Sequence, residues 1–406
     1  MSHRGFATPV IIYHGTLHFL YIIYIQYSGV MKKTLFAILV LGILCSPRIM
    51  EESQAQDFDI RGRLHMDTFI GISEADDFSN GFNNRRARIG VNGRLSENWD
   101  GRLEVDFAGG SVSANDFRMR RTFSDGSRLW LGQYKVPQGL NELTSSNNIS
   151  FIERATNSNM IADARRMGIA YERFGDRAGF KTMVFGRAVG QRSAIEGDMP
   201  LGVALRGVFA PQIGPGRLHA GASVVYEDLM DNNSISFSDR PEARDSKGGR
   251  AMIGLQITDI VESTRKYGFE LAYIQGPIWI EGEYLQTTVK VDTGSDPTFN
   301  GWHLQAGYVL TGESRAYSTG GFGSVSPSGS GAWEVSARYS HMSLNDGGFT
   351  GGEQTNITLG VNRYVTSNLR FMGNIIFVNV NDTPEFNGTD SDGNPIIVAL
   401  RAQFNF

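Results

Sequence analysis

The chain has 406 residues, with 38 Lys or Arg against 42 Asp or Glu and a formal charge of −4. That balance supplies neither the basic face of a nucleic-acid binder nor an acidic tail, and one cysteine excludes an internal disulfide framework. Hydrophobic residues at 41 %, with 49 Gly and 12 Pro, are too few for a chain of this length that buries both faces of every strand; the length suits two or three globular domains or one large barrel.

In chain order, the first feature is an export signal. Met31-Lys32-Lys33 precedes an apolar run from Leu35 to Leu44, and Ser53 and Ala55 place small residues before a cleavage point. The reading is an upstream extension over residues 1–30 with translation starting at Met31, a signal peptide over 31–55, and a mature outer-membrane barrel over 56–406 beginning at Gln56. A membrane segment over 9–30 is the alternative, although His14, His18 and Gln26 interrupt it. Lipidation at Cys45 is disfavoured by the bulky Leu44. Beyond Gln56 no apolar run of about 20 residues occurs, so no helical span is expected.

From there the period is two almost throughout. Leu103, Val105 and Phe107 alternate with Arg102, Glu104 and Asp106. Phe117, Met119 and Arg121 alternate with Arg118 and Arg120. Leu205, Gly207 and Phe209 alternate with Arg206 and Val208. Trp302, Leu304 and Ala306 alternate with His303 and Gln305. Leu400, Ala402 and Phe404 alternate with Arg401, Gln403 and Asn405. One stretch breaks the rhythm. Leu129 to Leu131 reads as strand, Pro137 and Gly139 stop it, and a long polar segment carrying Glu142, Glu153 and Arg154 follows before a new strand near Arg165. A segment of that length without its own period is usually functional, and it reads as an insertion in the mouth or bore of a barrel.

Alternation alone fits a soluble sandwich as well as a membrane barrel. Three features favour the barrel. Aromatics such as Trp99, Trp302, Tyr339 and Phe404 sit near strand ends, as interfacial girdles do. Connections alternate between tight turns (98–99, 125–126, 175–176, 214–215, 276–277, 367–368) and long loops (137–163, 189–199, 228–265, 381–394). The chain ends at Phe406 on an apolar row. Seventeen alternating runs can be counted. A bacterial barrel of one chain has an even number, so the weakest run, Arg250–Ile257, is assigned to a long loop folded inward, leaving sixteen antiparallel strands in an all-β transmembrane barrel. The same parity places the Gly/Ser-rich segment 312–331 on the tight-turn side, where its length suggests that it tucks into the bore.

Sixteen strands enclose a water-filled channel. Its polar faces carry an excess of Arg over Glu and Asp, and the candidates for contact with a permeating anion are Arg86, Arg88, Arg118, Arg120, Lys135, Arg154, Arg166, Arg206 and Arg338. Guanidinium groups stay charged and grip oxyanions through two bonds. The opposing reading is that lumen Arg pair with lumen carboxylates to hold the wall.

The segments Arg85-Arg86-Ala87-Arg88-Ile89-Gly90, Leu103-Glu104-Val105-Asp106-Phe107, Gly132-Gln133-Tyr134-Lys135-Val136-Pro137, Phe151-Ile152-Glu153-Arg154-Ala155, Glu281-Gly282-Glu283-Tyr284 and Ala399-Leu400-Arg401-Ala402-Gln403-Phe404 resemble the phosphate-selective porin O and P family. The resemblance implies a homotrimeric outer-membrane channel embedded in lipid and lipopolysaccharide. It further implies that the third and fifth external loops and one periplasmic turn fold into the pore. Better-known members bind phosphate or polyphosphate through a ladder of Arg and a Lys near the constriction; Arg85, Arg86, Lys135, Glu142 and Arg154 lie in matching segments. Between Lys135 and Met160 only Lys135 and Arg154 are cations, so a general porin stands as the alternative.

Rival functions find little footing. The histidines after Gln56 (His65, His219, His303, His341) are isolated, and neither G-x-S-x-G nor H-E-x-x-H occurs. Glu281 and Glu283 share a strand face, where lining the lumen is the simpler role. A structural or adhesive barrel would not conduct, and an energised receptor would need a plug domain. The expectation is a passive porin for small anions such as phosphate, with no enzymatic activity, cofactor, metal or nucleic-acid partner.

Overall fold

The computed structural model describes residues 57–73, 80–189, 198–230, 233–244, 251–318, 320–382 and 394–406. The readings of residues 1–30 and 31–55, and most of the 189–199 and 381–394 loops, lie outside them.

Sixteen antiparallel strands close into one barrel. They begin with β1 (Phe58–Ser73), β2 (Gly81–Arg94), β3 (Trp99–Asp106), β4 (Ser113–Thr122), β5 (Arg128–Lys135) and β6 (Arg165–Phe174). They continue with β7 (Ala178–Phe185), β8 (Leu201–Phe209), β9 (Gly216–Asp228), β10 (Val261–Gln275) and β11 (Ile278–Val291). The last five are β12 (Thr298–Val309), β13 (Ala332–Asp346), β14 (Phe349–Tyr364), β15 (Leu369–Asn381) and β16 (Ile396–Asn405). Each pairs with its sequence neighbour, and β16 returns to β1 from Arg63↔Asn405 to Ser73↔Ile396. Phe406 extends the seam through two backbone bonds with Gly62, at 2.9 and 3.1 Å. Closure leaves no sheet edge, as a spanning structure in lipid requires.

The wall is apolar outside and polar inside. On β8, Leu201, Val203, Leu205 and Phe209 are exposed while Ala204, Arg206 and Val208 are buried. On β16, Leu400 and Phe404 are exposed while Arg401 and Gln403 are buried. A soluble sandwich would show the reverse distribution, whereas a lipid-facing barrel shows this one. Trp302 and Tyr339, both exposed, stack on the outer face with ring centres 5.2 Å apart.

At one end the connections are the tight turns read from the sequence, except for the long one over 310–331 between β12 and β13. The weak run near residue 255 is indeed not part of the barrel wall: Ile253–Ile257 pairs with Ile235–Asp239 in a separate hairpin within the β9–β10 loop. The 310–331 segment folds into a second hairpin, Arg315–Ser318 with Gly321–Val325. Its Phe322 packs inside the barrel with Leu140, Phe151 and Trp279. The long-loop end also holds one tight connection. Gly347 and Gly348, both at positive φ (63° and 86°), join β13 to β14, the backbone that a two-residue hairpin turn demands.

An arginine-lined cavity beside the inserted loop

The aperiodic stretch between β5 and β6 is among the most deeply buried parts of the molecule. Val136, Gln138, Leu140, Ile152, Ala155, Thr156, Asn157 and Ser158 have no measurable exposure. Two short helices, α1 (Leu140–Leu143) and α2 (Thr156–Ile161), punctuate it. Its backbone polar groups cannot be left unpaired there, and the wall supplies their partners. Asn374 accepts from Ile152 N at 2.8 Å, Arg401 donates to Ile152 O at 2.7 Å, and Arg338 donates to Glu153 O at 3.0 Å. Asn362 donates to Ser150 O at 2.9 Å.

Glu281 and Glu283 belong to the same anchorage. Asn141 donates its side-chain amide to Glu281 and its backbone N–H to Glu283, each at 3.2 Å, and Ser158 donates to Glu283 at 2.8 Å. The loop therefore lies against β11–β16. That leaves a gap on the β1–β7 side.

The gap is a cavity of about 290 Å³. Arg61 and Arg63 enter it from β1, Arg86 and Arg88 from β2, Arg102 from β3 and Arg118 from β4. Lys135, Arg165 and Lys181 come from β5, β6 and β7, and Arg154 from the loop. Against these ten cations the lining holds two carboxylates, Asp116 and Glu142. Ser145 and Ser146 add hydroxyls, and Trp130 and Tyr134 add aromatic surface.

Carboxylates hold these cations extended. Arg88 bonds Asp106 at 2.7 Å, Arg165 bonds Asp116 at 2.6 Å, and Arg118 bonds Asp100 at 3.0 Å. Lys135 and Arg154 share Glu142 at 3.1 and 3.0 Å. Burial pushes the Glu142 carboxyl up, but Arg154 and Lys135 more than offset it and hold the group below the usual carboxylate range. Glu153 is held down the same way, by Arg85 and Arg86 against burial. Trp130 carries three cations over its ring: Lys181 at 3.8 Å, Arg118 at 4.5 Å and Arg120 at 5.2 Å from its centre. Arg86 is 3 % exposed, and its Nε has no hydrogen-bond partner.

Comparison with known proteins decides the family. The phosphate-selective porin O and P family matches residues 58–406. The chain belongs to that family. It is a channel-forming protein of the bacterial outer membrane. Porin O of Pseudomonas aeruginosa is 27 % identical over 359 residues, covering 79 % of this chain and 81 % of that protein. Two solved structures share the fold. The anion-selective porin from Comamonas acidovorans superposes with a TM-score of 0.56 at 16 % identity, covering 87 % of this porin and 100 % of that chain. OmpT of Vibrio cholerae lacking loop L8 gives 0.57 at 12 % identity, with the same two coverages.

Of the residues singled out from the sequence, Arg86, Arg88, Arg118, Lys135 and Arg154 come together in the porin's cavity. Arg154 also ties the loop to itself, donating to the Asn141, Glu142 and Thr144 carbonyls at 2.9, 3.2 and 2.8 Å. Arg120 sits two residues nearer the tight-turn end, on Asp100 at 2.7 Å. Arg166 lines a different cavity of about 580 Å³ and pairs with Asp163 at 3.1 Å. Arg206 grips Glu270 and donates to Gly320 O at 2.9 Å, which fixes the inserted 315–325 hairpin. Arg338 grips Glu242 of the β9–β10 loop.

Five cavity cations, Arg61, Arg63, Arg102, Arg165 and Lys181, were not singled out. Arg61 and Arg63 share the alternation of His65 and Asp67, so strand parity contained them. Lys135 and Arg165 are cross-strand partners at strand ends. Lys135 has the parity of the outward Leu131 yet lines the cavity, and alternation gives no warning of that.

Proposed function

We propose that this porin passes small anions by passive diffusion, with phosphate and related oxyanions as the preferred cargo. The observation that carries the reading is the cavity beside the inserted loop, where ten cations face two carboxylates. Guanidinium groups lose little on partial desolvation and keep their charge at every working pH. A narrow passage lined by one sign of charge and walled by low-dielectric protein concentrates counter-ions. Arg86, which lines the cavity, also keeps a buried Nε without a hydrogen-bond partner. The family's name and the anion-selective structural neighbour point the same way.

The porin works without chemistry or cofactor in this reading. Its export signal spans 31–55, the mature chain starts at Gln56, and the apolar outer wall sits in lipid and lipopolysaccharide as a homotrimer. N-terminal sequencing of the membrane form and its mass by light scattering check those points.

The decisive experiment is single-channel conductance with chloride in the bath and phosphate titrated in. Block of the chloride current at low phosphate supports an oxyanion site in the cavity. Ohmic conductance with weak ion preference and no block means a general porin. The pairing of Arg88, Arg118 and Arg165 with carboxylates is the observation favouring that second reading.

A further inference from the structure

Five arginines inside the barrel use their guanidinium edges in two different ways. Arg401 grips Asp67 through Nε and Nη2 at 2.6 and 2.7 Å. Arg85 grips Glu153 through the same edge at 2.6 and 3.1 Å. Arg206 does so with Glu270 at 2.8 and 2.5 Å, and Arg338 with Glu242. In Arg401, Arg85 and Arg206 that edge places two parallel N–H bonds on the two oxygens of one carboxylate, whereas both bonds of Arg338 fall on one oxygen of Glu242. Arg370, 3 % exposed, presents the same Nε and Nη2 edge with no hydrogen-bond partner on either atom.

Its surroundings do not supply one. Arg370 lies over the Tyr364 ring at 4.5 Å, and its Nη1 reaches Asn147 O at 3.4 Å. The nearest carboxylate, Glu334, stands 4.0 Å from Nη2. A carboxylate offers about four lone-pair positions, and four neutral donors occupy those of Glu334: Ser150, Trp279, Asn362 and Tyr364, at 3.0, 2.8, 2.9 and 2.8 Å. Arg315 approaches from the inserted hairpin. It is 4 % exposed, stacks against Phe322 and Trp279 at 4.3 and 4.5 Å, and donates Nη2 to Asn148 O at 2.7 Å. Its Nε and Nη1 have no partner either. The two guanidiniums thus bond consecutive carbonyls of the inserted loop, whose α-carbons are about 3.8 Å apart. Two permanent positive charges and four unused donors face one saturated carboxylate, with the buried Glu281 acting on Arg315 through its charge and bonding none of the four. Burying such charge without compensation is strongly unfavourable.

We propose that Arg370 and Arg315 form a second, enclosed binding site for a small tetrahedral oxyanion of the phosphate class. It lies inside the barrel near the tight-turn end, behind residues 147–148 of the inserted loop. Arg370 holds two oxygens through its free edge, and Arg315 holds a third. The site is separate from the arginine-lined cavity. A neutral water could accept two of these bonds but brings no charge to the two guanidiniums.

The test is anomalous diffraction from crystals of the full membrane-purified porin soaked in selenate, comparing wild type with Arg370→Lys and Arg370→Gln. Lysine keeps the charge and removes the two-pronged edge. The expected result is an anomalous peak beside Arg370 in the wild type, with selenate affinity lowered roughly ten- to a hundredfold in both variants. A peak in the arginine-lined cavity persists in all three proteins. Absence of the wild-type peak beside Arg370 overturns the inference whether or not the cavity fills, and so does a peak unchanged in Arg370→Lys. An empty cavity with a filled Arg370 site counts against the proposed permeation site and leaves this one standing.

Discussion

Arg401 and Asp67 meet across the seam where the last strand joins the first, with both side chains fully buried and two bonds of 2.6 and 2.7 Å. The third arm of the guanidinium holds Ile152 O of the inserted loop at 2.7 Å. One residue therefore couples barrel closure to loop placement. Removing a single partner of a buried pair costs about 3–5 kcal/mol, a part of which is offset here by Glu153, 3.3 Å from Arg401. Asp67→Asn is expected to lower the urea midpoint of the refolded barrel in detergent. Arg401→Met combined with Asp67→Leu is expected to recover much of that loss, because both charges leave together. An Asp67→Asn midpoint equal to wild type defeats this account of the seam.

Glu242 anchors the β9–β10 loop inside the bore from an unusual backbone, φ 57°. Its carboxylate accepts from Arg338, from Ser340 at 2.6 Å, from Thr358 at 2.8 Å and from the backbone of Thr156 at 3.3 Å. Such strain persists only where surrounding bonds fix it. Glu242→Ala leaves Arg338 buried without its carboxylate, a loss of about 3–5 kcal/mol. The loop should then leave the bore for part of the time. The expected readout is a higher and noisier single-channel conductance, and new protease sensitivity near 240–244 in the purified porin. A quiet conductance equal to wild type shows that the loop is held elsewhere.

Much of this fold was written in period-two alternation. The sixteen strands, the tight-turn end and the inward placement of the 228–265 and 312–331 segments were reached from alternation and parity, because one face of each strand meets lipid and the other water; that each segment holds a hairpin was not. Arg86, Arg88 and Arg118 were legible for the same reason. What parity cannot convey is the destination of a side chain once the loop has chosen a wall. Arg206 and Arg338 have the same strand signature as Arg118, yet they meet Glu270 and Glu242 on the filled side. Arg85 is a second kind of exception. The β1–β2 register slips between His65 and Met66, so Arg85 is an extra residue in the ladder. A bulge of this sort re-aims side chains, and it lets neighbouring Arg85 and Arg86 both reach Glu153, at 2.6 and 3.8 Å.

The small hairpin in the β9–β10 loop carries a pH dependence. Asp239 is 4 % exposed and its Oδ2 has no hydrogen-bond partner. Burial pushes its carboxyl up to about 6, with Glu153 adding to the rise and Arg244, Arg240 N–H and Asn159 opposing it. Because the docked state favours the protonated form, docking is strongest below the ordinary value of 3.8 and weakens as pH climbs through about 6. A rise from 3.8 to about 6 corresponds to a loss of roughly 3 kcal/mol of docking free energy by neutral pH. Amide exchange over 235–239 and 253–257, corrected for intrinsic rates, is expected to be slower at pH 5 than at pH 7.5. Asp239→Asn should remove most of that difference. Equal protection at both pH values in the wild type contradicts the assignment.

Arg118 and Arg120 share one counter-charge, Asp100, at 3.0 and 2.7 Å, and both lie over Trp130. Replacing both by Ala removes two cations and also frees a carboxylate that faces the bore. The net change of charge at the passage is thus larger than either arginine alone implies. Under a salt gradient the reversal potential should move away from the anion limit, and further than in the Arg120→Ala variant, since Arg118 lines the cavity directly. Asp100→Asn makes the opposite change, since it leaves both guanidiniums in place with their charge uncovered, and it is expected to raise anion preference. These charges lie in a confined bore rather than on an open surface, so the shifts should survive moderate ionic strength better than surface effects do. Reversal potentials that stay fixed across all three variants would show that the permeating ion never approaches this corner of the wall.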